Sequence, residues 1–185
     1  MRHEAVSLAC MAEQIRTFGD PVLNSKAAPV ADVDGKALRL VDKMFGALYT
    51  TDNGLALAAP QIGVQKQVVV WDFGEDPQTI FNPEIVESDG EWVYEEGCLS
   101  IPGLYVEIVR PKTVLVRGVD LDGNVGEWEA DEIEARMFQH ELDHLNGVLM
   151  FERMTPDQRK EALAEYERMQ QAVASEPARR RLRLR

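Results

Sequence analysis

Two of the three histidines in this chain, His140 and His144, lie four residues apart in a segment that reads HELDH. Ile133 and Met137 fall on the same face at spacings of three and four residues, and this period predicts a helix. Residues four apart stack on one face of a helix, so both imidazoles can reach one metal ion. Glu141 projects about 100° around the helix and can address a water molecule at that ion. The segment therefore predicts a helix, starting near residue 131, that carries a metal centre.

A catalytic metal site needs a third protein ligand and an open position. His3 lies near the N-terminus, and Asn146, Gly147 and Val148 follow the motif directly, so no zincin-type His or Glu is available there. Cys98, within EGCLS, follows a predicted strand in a glycine-containing turn where a thiolate can face a metal. The alternative interpretation is a small buried apolar cysteine. One thiolate and two imidazoles suit Zn, Fe(II), Co or Ni and disfavour hard, oxygen-preferring ions.

The remaining patterns predict an α+β fold, with mixed or antiparallel strands packed around the central metal-binding helix and a C-terminal helix after it. A helix is expected over 35–51, ended by Asn53 and Gly54 because both tolerate positive φ. Strands are expected at 67–73, 79–81, 91–94, 105–109 and 113–119, the last forming a hairpin with 125–128. The final helix, expected over 156–175, aligns Leu163, Tyr166, Met169 or Gln170, and Val173.

The length of 185 residues, with 45% hydrophobic and 28% charged positions, fits one folded domain, assigned to 15–175. Residues 1–14 lack periodicity and are expected to be a flexible extension, and 176–185 a basic tail. Charges interrupt every apolar window, so we expect no membrane span. The first residues lack the apolar stretch of an export signal, and a domain of this size does not need the one disulfide that two cysteines could form. We therefore expect a cytoplasmic protein. The net charge of −12 disfavours specific DNA binding, whereas the arginine-rich tail can touch RNA or remain a solvated charged tail.

Three separated segments resemble the signature motifs of peptide deformylases: residues 54–61 (GLALAAPQ), 96–100 (EGCLS) and 139–145 (QHELDHL). Their order and separations also match that family, and flanking patterns extend the resemblance over about 15–155. The resemblance implies a metal-dependent hydrolase that removes the formyl group from the N-terminal formyl-methionine of new polypeptides and releases formate. It also implies N-formylmethionyl nascent peptides as substrates, with the ribosome as a partner for the C-terminal helix or basic tail.

The same resemblance assigns roles to residues of the site. It implies one divalent metal ion, Fe(II) in the cell and Zn, Ni or Co in preparations, with the ligands Cys98, His140 and His144. Glu141 is implied to be the general base that takes a proton from water and passes it to the departing amine. The side-chain amide of Gln61 and the backbone N–H of Leu99 are implied to donate to the negative oxygen of the tetrahedral intermediate.

Substrate contacts are expected from the first motif, at Gly54, Leu55 and Ala56. Gly54 either presents backbone groups to the substrate or caps the preceding helix. Ala56 replaces the glycine usual in the family, and its methyl is expected to narrow the approach of the substrate backbone or the mouth of the methionine pocket. The candidates for lining that pocket, each of which also suits the core, are Leu55, Tyr94, Ile133 and Met137.

Glu96 and Arg110 are expected to form an ion pair that braces the Cys98 loop. Two other functions share parts of the pattern: a zincin-type endopeptidase, and a non-catalytic, metal-stabilised module that docks on the ribosome. The first normally uses a His or Glu as third ligand. The second needs neither Glu141 nor Gln61, so both residues favour an enzyme.

Overall fold

The computed structural model describes residues 13–74 and 76–175, which form three α-helices, seven strands and three short 3-10 helices. The helices are α1 (Gly35–Leu48), α2 (Glu132–Leu145) and α3 (Pro156–Ser175). The strands are β1 (Ala56–Ala58), β2 (Val68–Trp71), β3 (Gln78–Asp89), β4 (Trp92–Cys98), β5 (Ile101–Arg110), β6 (Thr113–Val119) and β7 (Val125–Asp131). The 3-10 helices are Pro21–Asn24, Ala59–Ile62 and Met150–Arg153. Residues 1–12 of the expected extension, with His3, and the basic tail 176–185 lie outside the described residues.

The strands form two antiparallel sheets. Five of them pair in the order β1-β2-β3-β6-β7, and β4 pairs with β5 in a separate two-stranded sheet. Because β3 and β6 are neighbours, the β4–β5 hairpin is an excursion between them. The expected hairpin of β6 and β7 is confirmed, with Val119 opposite Val125. The α+β class expected from the sequence is therefore confirmed.

Helices α1 and α2 cover opposite faces of the larger sheet. Successive strand residues point to opposite faces, and in β1 Leu57 packs with α1 whereas Ala56 and Ala58 pack with α2. All four residues of β2 are buried because both of its faces are covered. Helix α2 is consequently central, with Phe138 fully buried and its ring against Trp71 at a centroid distance of 5.0 Å.

The first helix ends three residues earlier than expected, at Leu48 rather than 51. The hydroxyls of Thr50 and Thr51 donate to the carbonyls of Ala47 and Leu48, which satisfies the last turn locally. Neither Asn53 nor Gly54 has a positive φ. The interpretation of these two residues as the helix cap is therefore wrong.

The C-terminal helix has the expected bounds, but its apolar face is shorter than the sequence indicated. Its buried residues are Ala162 and Tyr166, which join the β4–β5 hairpin and the 3-10 helix Met150–Arg153 in a third core cluster. Val173, expected on the same face, is 61% exposed. The buried contacts of the helix thus lie at 162–166, well before its C-terminal end. Within the described residues, no helix is both long and apolar enough to cross a bilayer.

Candidate metal centre

The thiol of Cys98 and the imidazoles of His140 and His144 meet in the interior. One ligand atom from each lies within 4.8 Å of the others, and all three residues are buried. The two rings come from successive turns of α2, with centroids 4.9 Å apart. Cys98 comes from the end of β4, and its sulfur lies 3.2 Å from Nε2 of His144. Residues from the two separate motifs therefore form one cluster.

Glu96 orients the first of the two imidazoles. Its Oε1 lies 2.6 Å from Nδ1 of His140, so Nδ1 donates to the carboxylate and Nε2 is the ring atom available to a metal ion. Burial alone would raise the pKa of the Glu96 carboxyl, but hydrogen bonds from Arg110 and His140 hold it well below its usual value. Glu96 is therefore a carboxylate that fixes the tautomer and the direction of the His140 ring.

The expected ion pair of Glu96 and Arg110 is present and belongs to a larger buried network. Nε and Nη2 of Arg110 each donate to Glu96 at 2.7 Å, and its Nη1 donates to Asp143 at 3.0 Å. Arg136 donates to Glu96 at 2.9 Å and to the carbonyls of Trp92 and Ile108. These contacts tie both strands of the hairpin that carries Cys98 to the helix that carries the histidines.

Sequence reasoning missed three members of this network, which are Arg136, Asp143 and Arg153. Arg136 and Asp143 are charged residues in the buried part of α2, which runs from Ala135 to Leu145, and Asp143 lies inside the HELDH segment. Two charges at such positions signal buried partners, because charged groups are almost never fully buried unless they are paired. That signal was available, although the identity of the partners was not.

Gln61 presents its amide nitrogen to the cluster. Its Oε1 accepts from the backbone N–H of Ala58 at 2.8 Å, which fixes the orientation of the amide. Its Nε2 then lies 3.2 Å from the Ser100 hydroxyl and 4.0 Å from the sulfur of Cys98. Leu99 lies in the two-residue turn between Cys98 and β5.

Glu141 is buried beside both histidines. Its Oε2 has no hydrogen-bond partner among the described residues. Burial is the largest influence on this carboxyl and raises its pKa, although the neighbouring imidazoles act in the opposite direction. A carboxylate with a raised pKa and a free oxygen is suited to exchanging protons near neutral pH.

The substrate-contact candidates are distributed over three parts of the chain. Leu55, Tyr94 and Ile133 are 47%, 46% and 38% exposed, whereas Met137 is buried beside Phe138 in the core. A Cβ at Gly54 would lie 2.3 Å from the Thr51 hydroxyl and 2.8 Å from Cδ1 of Leu48, so a larger residue there would have to displace these two side chains. The methyl of Ala56 packs in the core between the sheet and α2.

The donor atoms fit a divalent ion that accepts nitrogen and sulfur ligands. Burial raises the pKa of the Cys98 thiol, but the imidazoles of His144 and His140 outweigh this and lower it to about 5, so the sulfur is a thiolate at neutral pH. In return, the thiolate and Glu96 raise the pKa of His140 against the effect of its burial. Metal binding needs a deprotonated sulfur and neutral imidazole nitrogens, so a cation held here would displace protons from its ligands.

These features define a class: an α+β protein in which an HExxH helix and a cysteine from a separate hairpin build one metal centre. The profile of the polypeptide deformylase family matches residues 12–160. The chain therefore belongs to the polypeptide deformylase family.

Relatives and solved structures agree with this assignment. The peptide deformylase of Halothermothrix orenii is 46% identical over 143 residues, which cover 76% of this chain and 92% of the relative. The peptide deformylase of Thermotoga maritima is 45% identical over 147 residues, which cover 79% of this chain and 89% of the relative. The crystal structure of a peptide deformylase from Legionella pneumophila matches with a TM-score of 0.82 at 36% identity and covers 89% of this chain and 99% of that one. The crystal structure of a peptide deformylase from Synechococcus elongatus, in complex with actinonin, matches with a TM-score of 0.78 at 37% identity and covers 83% of this chain and 85% of that one.

The family assignment confirms the expected activity: the chain is a metal-dependent hydrolase that removes the formyl group from N-formylmethionyl nascent peptides. It does not favour the two other functions that share parts of the sequence pattern, the zincin-type endopeptidase and the non-catalytic binding module.

Proposed function

We propose that Cys98, His140 and His144 hold the catalytic metal ion of this deformylase. The observation that carries the proposal is the convergence of these ligand atoms within 4.8 Å in the interior. A divalent cation held there supplies Lewis acidity, which polarises the formyl carbonyl and lowers the pKa of water. The thiolate and imidazole donors support Fe(II), Zn, Co or Ni. Among these we propose Fe(II) in the cell, and metal analysis of anaerobically purified protein tests that choice.

Glu141 is the proposed general base. It accepts a proton from the attacking water and passes it to the amine that departs from the formyl group, after which formate leaves. Its support is its position next to His140, its burial and its raised pKa. Because the same carboxylate first accepts and then donates the proton, a pKa closer to neutral pH serves both steps.

Gln61 and Leu99 are the proposed donors to the oxygen that becomes negative during attack. The support for Gln61 is that the Ala58 N–H holds its carbonyl oxygen, which leaves Nε2 facing the cluster. The support for Leu99 is its place directly after Cys98 in the turn. Losing one such donor typically lowers turnover by about 10²- to 10³-fold.

The nascent peptide is proposed to lie along the segment Gly54, Leu55 and Ala56. Within the described residues β1 is an edge strand, paired with β2 on one side, and an edge strand can add an extended peptide through main-chain hydrogen bonds. The proposed pocket for the methionine side chain comprises Leu55, Tyr94, Ile133 and Met137. Three of these apolar side chains are exposed, which supports a surface that a substrate covers.

The setting of the enzyme is also a proposal. The catalytic domain is proposed to span 15–175, between an N-terminal extension at 1–14 and a basic tail at 176–185, and to act in the cytoplasm. Contact with the ribosome runs through α3 or the tail, whose arginines offset the acidity of the chain as a whole. Co-sedimentation of the full chain with ribosomes, compared with a chain ending at 175, tests the part played by the tail.

The activity is tested with anaerobically prepared protein loaded with Fe(II) or Ni and given formyl-Met-Ala-Ser. We expect formate release that Glu141→Gln abolishes, and binding of actinonin, the compound present in the Synechococcus elongatus structure. Glu134→Gln is the matched control, because it makes the same change on the same helix at a partly exposed position. Cleavage of an internal peptide bond, or metal binding with no turnover of the formyl peptide, would contradict the proposal.

A further inference from the structure

Arg153 lies at the surface end of the buried ionic network. It is the last residue of the 3-10 helix Met150–Arg153, and its side chain is 47% exposed. Its Nε donates to Oδ2 of Asp143 at 2.9 Å, and its Nη2 donates to Oδ1 of the same carboxylate. A guanidinium that meets a carboxylate through two parallel bonds fixes its direction as well as its charge.

From Asp143 the contacts continue to a metal ligand. Oδ2 of Asp143 also accepts from Nη1 of Arg110 at 3.0 Å, and Arg110 donates twice to Glu96. Glu96 in turn accepts from Nδ1 of His140. Four segments of the chain are joined in this way: the 3-10 helix, α2, β5 and β4.

Asp143 connects this chain of contacts to His144 as well as to His140. Asp143 directly precedes His144 in the last turn of α2, and its side chain is 8% exposed. Without Arg153, Oδ1 loses the one side-chain donor that it has among the described residues, and Arg110 alone must hold the carboxylate. A buried carboxylate with an unmet oxygen is costly, so the side chain turns to find solvent. That movement displaces Arg110 and the turn that carries His144.

We propose that Arg153 is a positioning residue for the metal centre, which acts through Asp143 and Arg110 to hold His140 and His144 in the geometry that binds the ion tightly. The inference rests on the proposed function, because it assumes that Cys98, His140 and His144 are the ligands. Residues behind the ligands commonly change metal affinity by about 10- to 100-fold. Arg153 reaches His140 only through Asp143, Arg110 and Glu96, so we expect the lower end of that range.

Arg159 provides a matched control. It is an arginine of similar exposure, 49%, only six positions further along the chain. It pairs with Glu152 at 3.1 Å and not with the network around Asp143. Arg159→Gln therefore removes the same charge from the same region without touching the proposed path.

The test measures the dissociation constant for Zn(II), by competition with a chelator, and the visible absorption spectrum of the Co(II)-loaded protein. For Arg153→Gln we expect binding about tenfold weaker than wild type and an altered Co(II) spectrum. Arg159→Gln should stay within about twofold of wild type with an unchanged spectrum, because surface ion pairs contribute little. Arg153→Lys, which keeps the charge but not the paired bonds, should restore part of the affinity.

The proposal is overturned if Arg153→Gln binds Zn(II) within about threefold of Arg159→Gln and leaves the Co(II) spectrum unchanged, since the relay assumes a loss near tenfold. If Arg153→Gln does not fold, Arg153→Lys decides: weaker binding with an altered spectrum supports the relay, and wild-type values of both overturn it. Cys98→Ala separates this outcome from failure of the ligand assignment. Wild-type affinity in Cys98→Ala would refute the ligands themselves, whereas lost affinity there beside an unaffected Arg153→Gln would refute only the relay.

Discussion

Replacing Arg110 with methionine should destabilise the protein far more than the loss of one surface charge. Arg110 is 4% exposed and donates three hydrogen bonds, two of 2.7 Å to Glu96 and one of 3.0 Å to Asp143. Methionine fills much of the same volume without any donor. The substitution therefore removes the shared partner of two buried carboxylates while changing the packing little.

The magnitude follows from what remains around those carboxylates. Removing one partner of a buried ion pair typically costs about 3–5 kcal/mol, because the other charge is left uncompensated. Glu96 keeps Arg136 and His140, and Asp143 keeps Arg153. Neither carboxylate is left bare, so we expect a loss near the lower end, about 3 kcal/mol.

Urea unfolding of metal-free protein, followed by tryptophan fluorescence, measures this loss without a contribution from the metal. Arg117→Met is the matched control, because Arg117 also bridges two glutamates, Glu84 and Glu127, but its side chain is 47% exposed. The control should lose less than about 1 kcal/mol. A loss in Arg110→Met no larger than that of the control would refute the view that the network holds the hairpin to α2.

Three further predictions concern the core, a turn and pH. Ala56→Gly should lower the free energy of unfolding by about 0.5–1 kcal/mol, because glycine weakens a strand. It should leave kcat/KM unchanged, because the methyl packs in the core; an increase measured on formyl-Met-Ala-Ser would show that the methyl crowds the substrate. Gly147→Ala should lower the free energy of unfolding in urea by about 2 kcal/mol or more, because φ is 72° and a Cβ would lie 2.8 Å from the backbone of Ser25. The control is Gly46→Ala, in helix α1 with nothing within 4 Å of the added Cβ, which should stabilise the protein by up to about 1 kcal/mol. Equal effects of the two would contradict this account. The folded-state pKa of Glu96 lies below its usual 4.5, so its contribution to stability is present above that pH and is lost as the pH falls below it. Between pH about 5 and 3, metal-free wild type should therefore lose more free energy of unfolding than Glu96→Gln. Parallel plots of stability against pH for the two proteins would argue against the depressed pKa.

Local patterns in the chain were sufficient for several elements. The strand at 113–119 and the helix at 156–175 have the bounds that periodicity and Thr155-Pro156 indicated. The helix that carries HELDH was also predictable, since a period of 3.6 is expressed within a few residues. Strand β1 was not, because three residues rich in alanine contain no strand signal of their own, and pairing with β2 decides their conformation.

The sequence alone determined the chemistry available to the centre: two imidazoles one helical turn apart, a glutamate beside them and a cysteine, which the structure places at the end of β4 rather than in the expected turn. Only the tertiary structure decided how those groups are held, through Glu96 on His140, Arg110 between two carboxylates, and Arg153 at the surface. The physical reason is distance along the chain. Glu96 and His140 are 44 residues apart, so their contact depends on how separate sheets and a helix pack. Helical spacing, by contrast, is set by neighbours within one turn.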